Sequence, residues 1–162
     1  MRVLKTQVKR ISDKDMAKVK AVCTSEKTGT RKEPVTAGIL ERNYGLRGDA
    51  HADKNTHRQI SLLAIESINK MRNRGYDVNP GDFGENLTLE GVNLAELAVR
   101  ARLHVGNDVL LEITQIGKEC HTGCAIFQET GTCIMPKEGV FARVITGGTV
   151  TSEDAVTVIR VT

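Results

Sequence analysis

From Ala17 onward the chain is cut into apolar runs no longer than a single strand, separated by turns rich in Gly, Asn and Asp, and only one stretch has helical spacing. AKVKAVCT, Ala17 to Thr24, alternates small or apolar residues with lysines, the period of a half-buried strand, and Cys23 reads as one more small apolar side chain on it. Val35 to Leu40, Gln59 to Leu63, Leu87 to Glu90, Val140 to Ile145 and Ala155 to Val161 are further strand candidates. Leu103 to Val105 and Val109 to Ile116 read as two strands joined by the tight turn Gly106-Asn107-Asp108. Ala64, Ile65, Ile68 and Met71 recur at helical spacing up to Gly75, so one helix should lay its apolar face on a sheet. This pattern implies a mainly β (α+β) fold, a closed or partly closed β-barrel with one principal helix and a few short helical turns, rather than alternating βα units. No repeat or linker divides the chain, and residues 1–162 fit a single domain.

Composition narrows the function classes. Two Tyr, three Phe and no Trp leave few flat side chains on which to stack bases, and a net charge of +3 spread along the chain is weak for a nucleic-acid footprint, although Lys5 to Lys32 is locally basic. No apolar run approaches the ~20 residues of a membrane helix, and the N-terminus lacks the apolar core of a secretory signal, so a cytoplasmic location is expected. There, four cysteines are expected to be free thiols with catalytic, redox or metal-binding roles.

Three of the four lie within fourteen residues. The strand ending at Ile116 runs into Gly117-Lys-Glu-Cys-His-Thr-Gly-Cys, and a loop leaving a strand end is where rigid scaffolds present reactive groups. Lys118 and His121 flank Cys120, and nearby cations favour thiolate, which can attack sulfur or carbon, carry a persulfide, or bind a soft metal together with Cys124. Two plainer readings compete: that Cys120, Cys124 and Cys133 are small buried residues, or that they and His121 form a structural zinc or disulfide site without catalysis. The C-x3-C spacing without a second paired knuckle fits common zinc patterns poorly.

Other polar clusters suit an anion. Arg47, His51, His57 and Arg58 bracket a glycine-containing loop within NYGLRGDAHAD and beyond, and Arg143 lies past the cysteines; arginine forks grip oxyanions in bidentate fashion. Glu85 and Asn86 stand in GDFGENLTLEG, where the glycines either expose polar side chains or simply shape a turn. SEKTGTRKEPV, Ser25 to Val35, reads as an exposed loop, and His104 as a structural residue on a strand.

Taken together, RGDAHAD with RQISLL, then GDFGENLTLEG, then the V-G-N-D strand pair leading into G-K-E-C-H, resemble the MOSC domain, the module related to the C-terminal part of molybdenum cofactor sulfurases. The resemblance spans roughly Ala17 to Val161. It implies a β-rich fold built around a barrel, and a role in delivering sulfur to, or binding, molybdenum cofactor. Cys120 matches the family's motif cysteine, which carries sulfur as a persulfide or ligates molybdenum. The pyridoxal-phosphate domain that abstracts sulfur from cysteine in a sulfurase would then belong to a partner, a cysteine desulfurase, with a molybdoenzyme as recipient. The usual proline-rich context before the motif cysteine is replaced here by Ile-Gly-Lys-Glu, and Cys124 and Cys133 are additional. Short stand-alone members also resemble proteins that detoxify hydroxylated purines, which need redox partners.

Overall fold

The computed structural model describes residues 17–117 and 134–160. Seven strands close into a barrel. In ring order they are β11 (Ala155–Ile159), β7 (Arg102–Val105), β8 (Val109–Ile116), β9 (Val140–Thr146), β5 (Ile60–Ala64), β6 (Leu87–Glu90) and β1 (Ala17–Thr24), and β1 returns to β11 through Ala17 and Lys18. The short β2 (Glu33–Val35) extends the sheet from the far part of β1. A separate three-stranded sheet places β3 (Ala37–Glu41) between β10 (Gly148–Thr151) and β4 (Gly45–Leu46). Gly148 begins β10 just after β9 ends at Thr146.

Alternation builds the interior. On β8, Val109, Leu111 and Ile113 point into the barrel while Leu110, Glu112 and Thr114 stay half-buried outside. Val19, Leu62, Leu87, Leu89, Leu103, Ala142 and Val144 fill the same core, each removed from water, at roughly 1.5–3 kcal/mol for each large aliphatic side chain. β5 is buried on both faces, which is why its sequence, ISLLA, does not alternate. Its outward Leu63 joins a second core with Ile65, Ile68 and Met71 of helix α1 (Ile65–Asn73), Phe83, Phe141 of β9, and Met135 of the short helix α2 (Met135–Glu138). The helix covers the outer barrel wall as its apolar spacing requires. It also supplies the crossover for β5 and β6, the parallel neighbours in a sheet otherwise paired antiparallel.

The eight-residue β1 has the expected limits, but a register shift between Val19 and Ala21 breaks strict alternation and leaves both Val22 and Cys23 buried. Among the described residues no helix is long and apolar enough to cross a membrane.

Candidate functional site

The chain around β4 is tied to the start of β5 by the buried amide of Gln59. Gln59, fully buried, donates from Nε2 to Asn43 Oδ1 at 2.9 Å and accepts from the Val144 N–H at 3.1 Å, while Asn43 N–H donates to Val144 O at 2.9 Å. Gly45 passes so near Gln59 that a Cβ there would strike the Gln59 carbonyl, so this turn admits only glycine. The chain between these anchors carries two polar clusters.

The first is centred on a buried ion pair. Lys32 Nζ lies 2.7 Å from Asp49 Oδ1, and both side chains are completely removed from solvent. The ammonium also donates to Ser25 Oγ and contacts His51 Nδ1, each at 2.9 Å, so all three of its N–H bonds are used. Asp49 Oδ1 accepts further from Ser25 N–H at 3.0 Å and Thr24 Oγ1 at 3.3 Å, and Oδ2 accepts from His51 N–H at 2.9 Å. Burial alone would push the Asp49 carboxyl up; the contacts from His51 and Lys32 outweigh it and hold the group well below the usual carboxylate range. Beside the cluster Thr24, Ser25, Lys27, Thr30 and Arg31, together with the acidic Glu26 and Glu33, line an open cleft of about 250 Å³.

The second cluster lies on the outer barrel wall. Gln115, at the end of β8, accepts at Oε1 from Arg58 Nε and meets His57 Nε2, both at 2.9 Å, and donates from Nε2 to Gly117 O at 2.8 Å. Thr114 Oγ1 donates to His57 O at 2.7 Å, and the Arg58 guanidinium lies 5.5 Å from the Phe141 ring centre, a cation–π contact. Gly117 N–H donates to Gly139 O at 2.7 Å. The segment holding Lys118, Cys120, His121, Cys124 and Cys133 therefore leaves the wall beside this cluster, and those five residues lie outside the described residues.

The other expected contacts lie just after β4 and on β9. Arg47 is exposed and pairs with Glu41 at 3.0 Å. Arg143 stands on β9 opposite Glu112, and its Nε is buried without a hydrogen-bond partner.

Glu85 and Asn86 are buried inside the turn before β6. Asn86 Oδ1 accepts from Ser61 N–H at 3.0 Å and Ser61 Oγ at 3.1 Å, and its Nδ2 donates to Cys23 O at 3.2 Å, tying together β5, β6 and β1. Glu85 has no exposed surface; Oε1 accepts from Gly81 N–H at 2.8 Å and Oε2 from Thr88 Oγ1 at 3.2 Å. No cation is among these partners, and burial raises its carboxyl to about 7. Burial, with Glu85 nearby, also raises the Cys23 thiol to about 12, so Cys23 is an inert packing group.

Lys32, Asp49 and Gln115 escaped the sequence reading. Lys32 sits in a run that looks wholly solvated, yet it is 2% exposed, because Lys32 N–H donates to Gly81 O and carries the side chain inward. The available signal was Asp49 inside the glycine-bearing loop, but its partner is 17 residues away in sequence. His104 does hold structure, its Nε2 3.1 Å from Asn107 O across the hairpin turn. Among the described residues no group of three or more His, Cys, Asp and Glu is placed to hold a metal.

A closed seven-strand barrel with one crossover helix, carrying a polar loop against the strand that precedes a cysteine segment, defines a recognisable class of β-barrel domain. Solved structures share it at low sequence identity. The YuaD protein from Bacillus subtilis is 17% identical, with a TM-score of 0.77 over 91% of this chain and 97% of that one. YiiM from Geobacillus stearothermophilus is 18% identical, with a TM-score of 0.69 over 89% of this chain and 75% of its own. YiiM from Escherichia coli is 20% identical, with a TM-score of 0.61 over 91% and 71%. No curated protein matches by sequence. Residues 47–157, more than half the chain, match the model of the MOSC domain, and the chain belongs to that family.

Proposed function

We propose that this chain is a MOSC-type domain of the cytoplasm that handles molybdenum cofactor, with Cys120 as a persulfide sulfur carrier or a molybdenum thiolate. The observation that carries the reading is the family match over residues 47–157, which runs from the polar loop through the cysteine segment. Lys118 and His121 are the electrostatic neighbours that favour the Cys120 thiolate, and Cys124 is the second thiol available to a metal. Arg47, His51, Arg58 and Arg143 are the anion contacts. The orphaned Arg143 Nε and the exposed Arg58 guanidinium fit an anionic group, since each has donor capacity to spare. Glu85 and Asn86 serve cofactor binding through the turn they hold. Bound here, the cofactor would supply a metal able to take up a terminal sulfur.

In the carrier version, the Cys120 thiolate attacks the outer sulfur of a persulfide on a pyridoxal-phosphate-dependent cysteine desulfurase. One S–S bond breaks, another forms on Cys120, and the partner's thiolate departs, with no external oxidant or reductant. A molybdoenzyme is the expected recipient. The deciding experiment incubates the protein anaerobically with a cysteine desulfurase and, separately, with molybdenum cofactor, and compares wild type with Cys120→Ala by intact mass and molybdenum content. A Cys120-dependent gain of one sulfur atom supports the carrier; a Cys120-dependent gain of molybdenum supports the thiolate ligand. Neither gain refutes both and leaves a structural zinc or disulfide site between Cys120 and Cys133, which elemental analysis and thiol titration then decide.

A further inference from the structure

A fully buried lysine paired with a fully buried aspartate is a costly arrangement for mere stability, because a well-packed apolar pair of the same volume often does as well. What distinguishes this pair is its third member. His51 is one-third exposed at the side chain, and its Nδ1 lies 2.9 Å from Lys32 Nζ. An ammonium can only donate, so at this distance Nδ1 must be the acceptor and carries no proton. The alternative partner for Nδ1, Asp49 Oδ2 at 3.6 Å, is too far for a hydrogen bond and is already engaged by His51's own backbone N–H. Asp49 in turn holds the ammonium in place with its Oδ1.

We propose that Lys32 and Asp49 are positioning residues that lock His51 as the neutral Nε2–H tautomer, so that the imidazole presents a fixed N–H donor to an anionic oxygen, such as a phosphate oxygen, at the mouth of the loop. Among the described residues His51 Nε2 has no partner of its own. The cleft beside the cluster is lined by Lys27 and Arg31 and equally by Glu26 and Glu33, and Arg31 already pairs with Asp82 at 3.1 Å, so the directed N–H of His51 is what the site offers an arriving anion. The arrangement follows the general logic by which a bond to one ring nitrogen fixes what the other can do. It deepens the anion-contact role given to His51 above and rests on that reading only for the identity of the ligand.

The tautomer is read in the ligand-free protein, so its failure is separable from any failure of cofactor or sulfur loading at Cys120. At 17.7 kDa the chain suits long-range proton–nitrogen correlation spectroscopy of its imidazoles at neutral pH. The expected result is a non-protonated Nδ1 and a protonated Nε2 on His51, with the Nε2–H signal shifting on titration with inorganic phosphate. In Lys32→Met combined with Asp49→Asn, which removes both charges and leaves neither orphaned, His51 should become a tautomer mixture and bind phosphate about tenfold more weakly, the loss expected for one oriented donor to a charged acceptor. A protonated Nδ1 in the wild-type protein overturns the proposal without reference to any variant. An unmoved Nε2–H signal at saturating phosphate overturns the donor role.

Discussion

Two buried carboxylates, linked through the backbone pairing of Gly81 with Lys32, behave in opposite ways. Asp49 is clamped by Lys32, and Glu85 by neutral donors; Gly81 joins them, giving its N–H to Glu85 Oε1 and accepting Lys32 N–H at its carbonyl. A Cβ at Gly81, whose φ is +91°, would strike the Lys32 carbonyl and crowd Cys23 Sγ. Both acids lose their hydration, yet Asp49 gains the contacts of His51 and of the Lys32 ammonium, so its carboxyl is held down whereas that of Glu85 rises to about 7. Burial therefore does not by itself set the ionisation of a core acid; the hydrogen-bond donors and charge around it decide. The Asp49 cluster is a charged device aimed at the solvent-facing His51, and the Glu85 turn is a clasp between strands.

Breaking the charged side should give the largest effect. Lys32→Met leaves Asp49 buried and unpaired and should cost about 3–5 kcal/mol in urea unfolding, with most of that recovered when Asp49→Asn is added. A single-variant loss below about 1 kcal/mol would show that the pair is not closed off from water as described.

The second test separates the acids by pH. For Glu85 the folded value lies above the ordinary 4.5, so the fold binds the extra proton between pH 4.5 and about 7, and its contribution to stability declines as pH rises through that window. The shift corresponds to about 3 kcal/mol at most. Glu85→Gln can still accept from Gly81 N–H and can donate to Thr88 Oγ1, so it should be more stable than wild type above pH 7 and lack this slope. For Asp49 the sign reverses. Its folded value lies below 3.8, so its contribution is present above that pH and is lost as the solution is acidified past it. Asp49→Asn should flatten the acid limb while leaving the neutral-pH slope intact; chemical unfolding across pH reads both. If Glu85→Gln keeps the slope between pH 4.5 and 7, another group owns it.

Much of the barrel was legible because its strands obey local rules. The limits of β1 and β6, the β7–β8 hairpin around Gly106-Asn107-Asp108, and the helix from its apolar spacing all follow from alternation or turn chemistry. What was not legible depends on contacts far apart in sequence. The Gly148–Thr151 run becomes a strand only because β3 offers it an edge. Lys32 looks like any solvated lysine until the Gly81 turn and Asp49 close over it. Glu85 and Asn86 announced a turn, but only the packing of β1, β5 and β6 buries them. The expected anion wall was read from residue type; the fold sets Arg47 just after β4, Arg58 just before β5 and Arg143 on β9.

The smallest expected effect supplies the control for the comparison. Arg47 stands two residues before Asp49 in the same loop and also makes an ion pair, at 3.0 Å to Glu41, but its side chain is 60% exposed and that of Glu41 38%. Water already solvates both charges, so holding them together gains little. Arg47→Ala should change unfolding free energy by no more than about 0.2–1 kcal/mol, and that change should shrink as salt is added. Asp49 and Arg47 share a loop, so a comparably small loss from Lys32→Met would mean that the loop opens as a unit and that burial around Asp49 is not maintained. A large loss there beside a small one at Arg47 would place the structural commitment of this loop on the buried ion pair that Asp49 makes with Lys32.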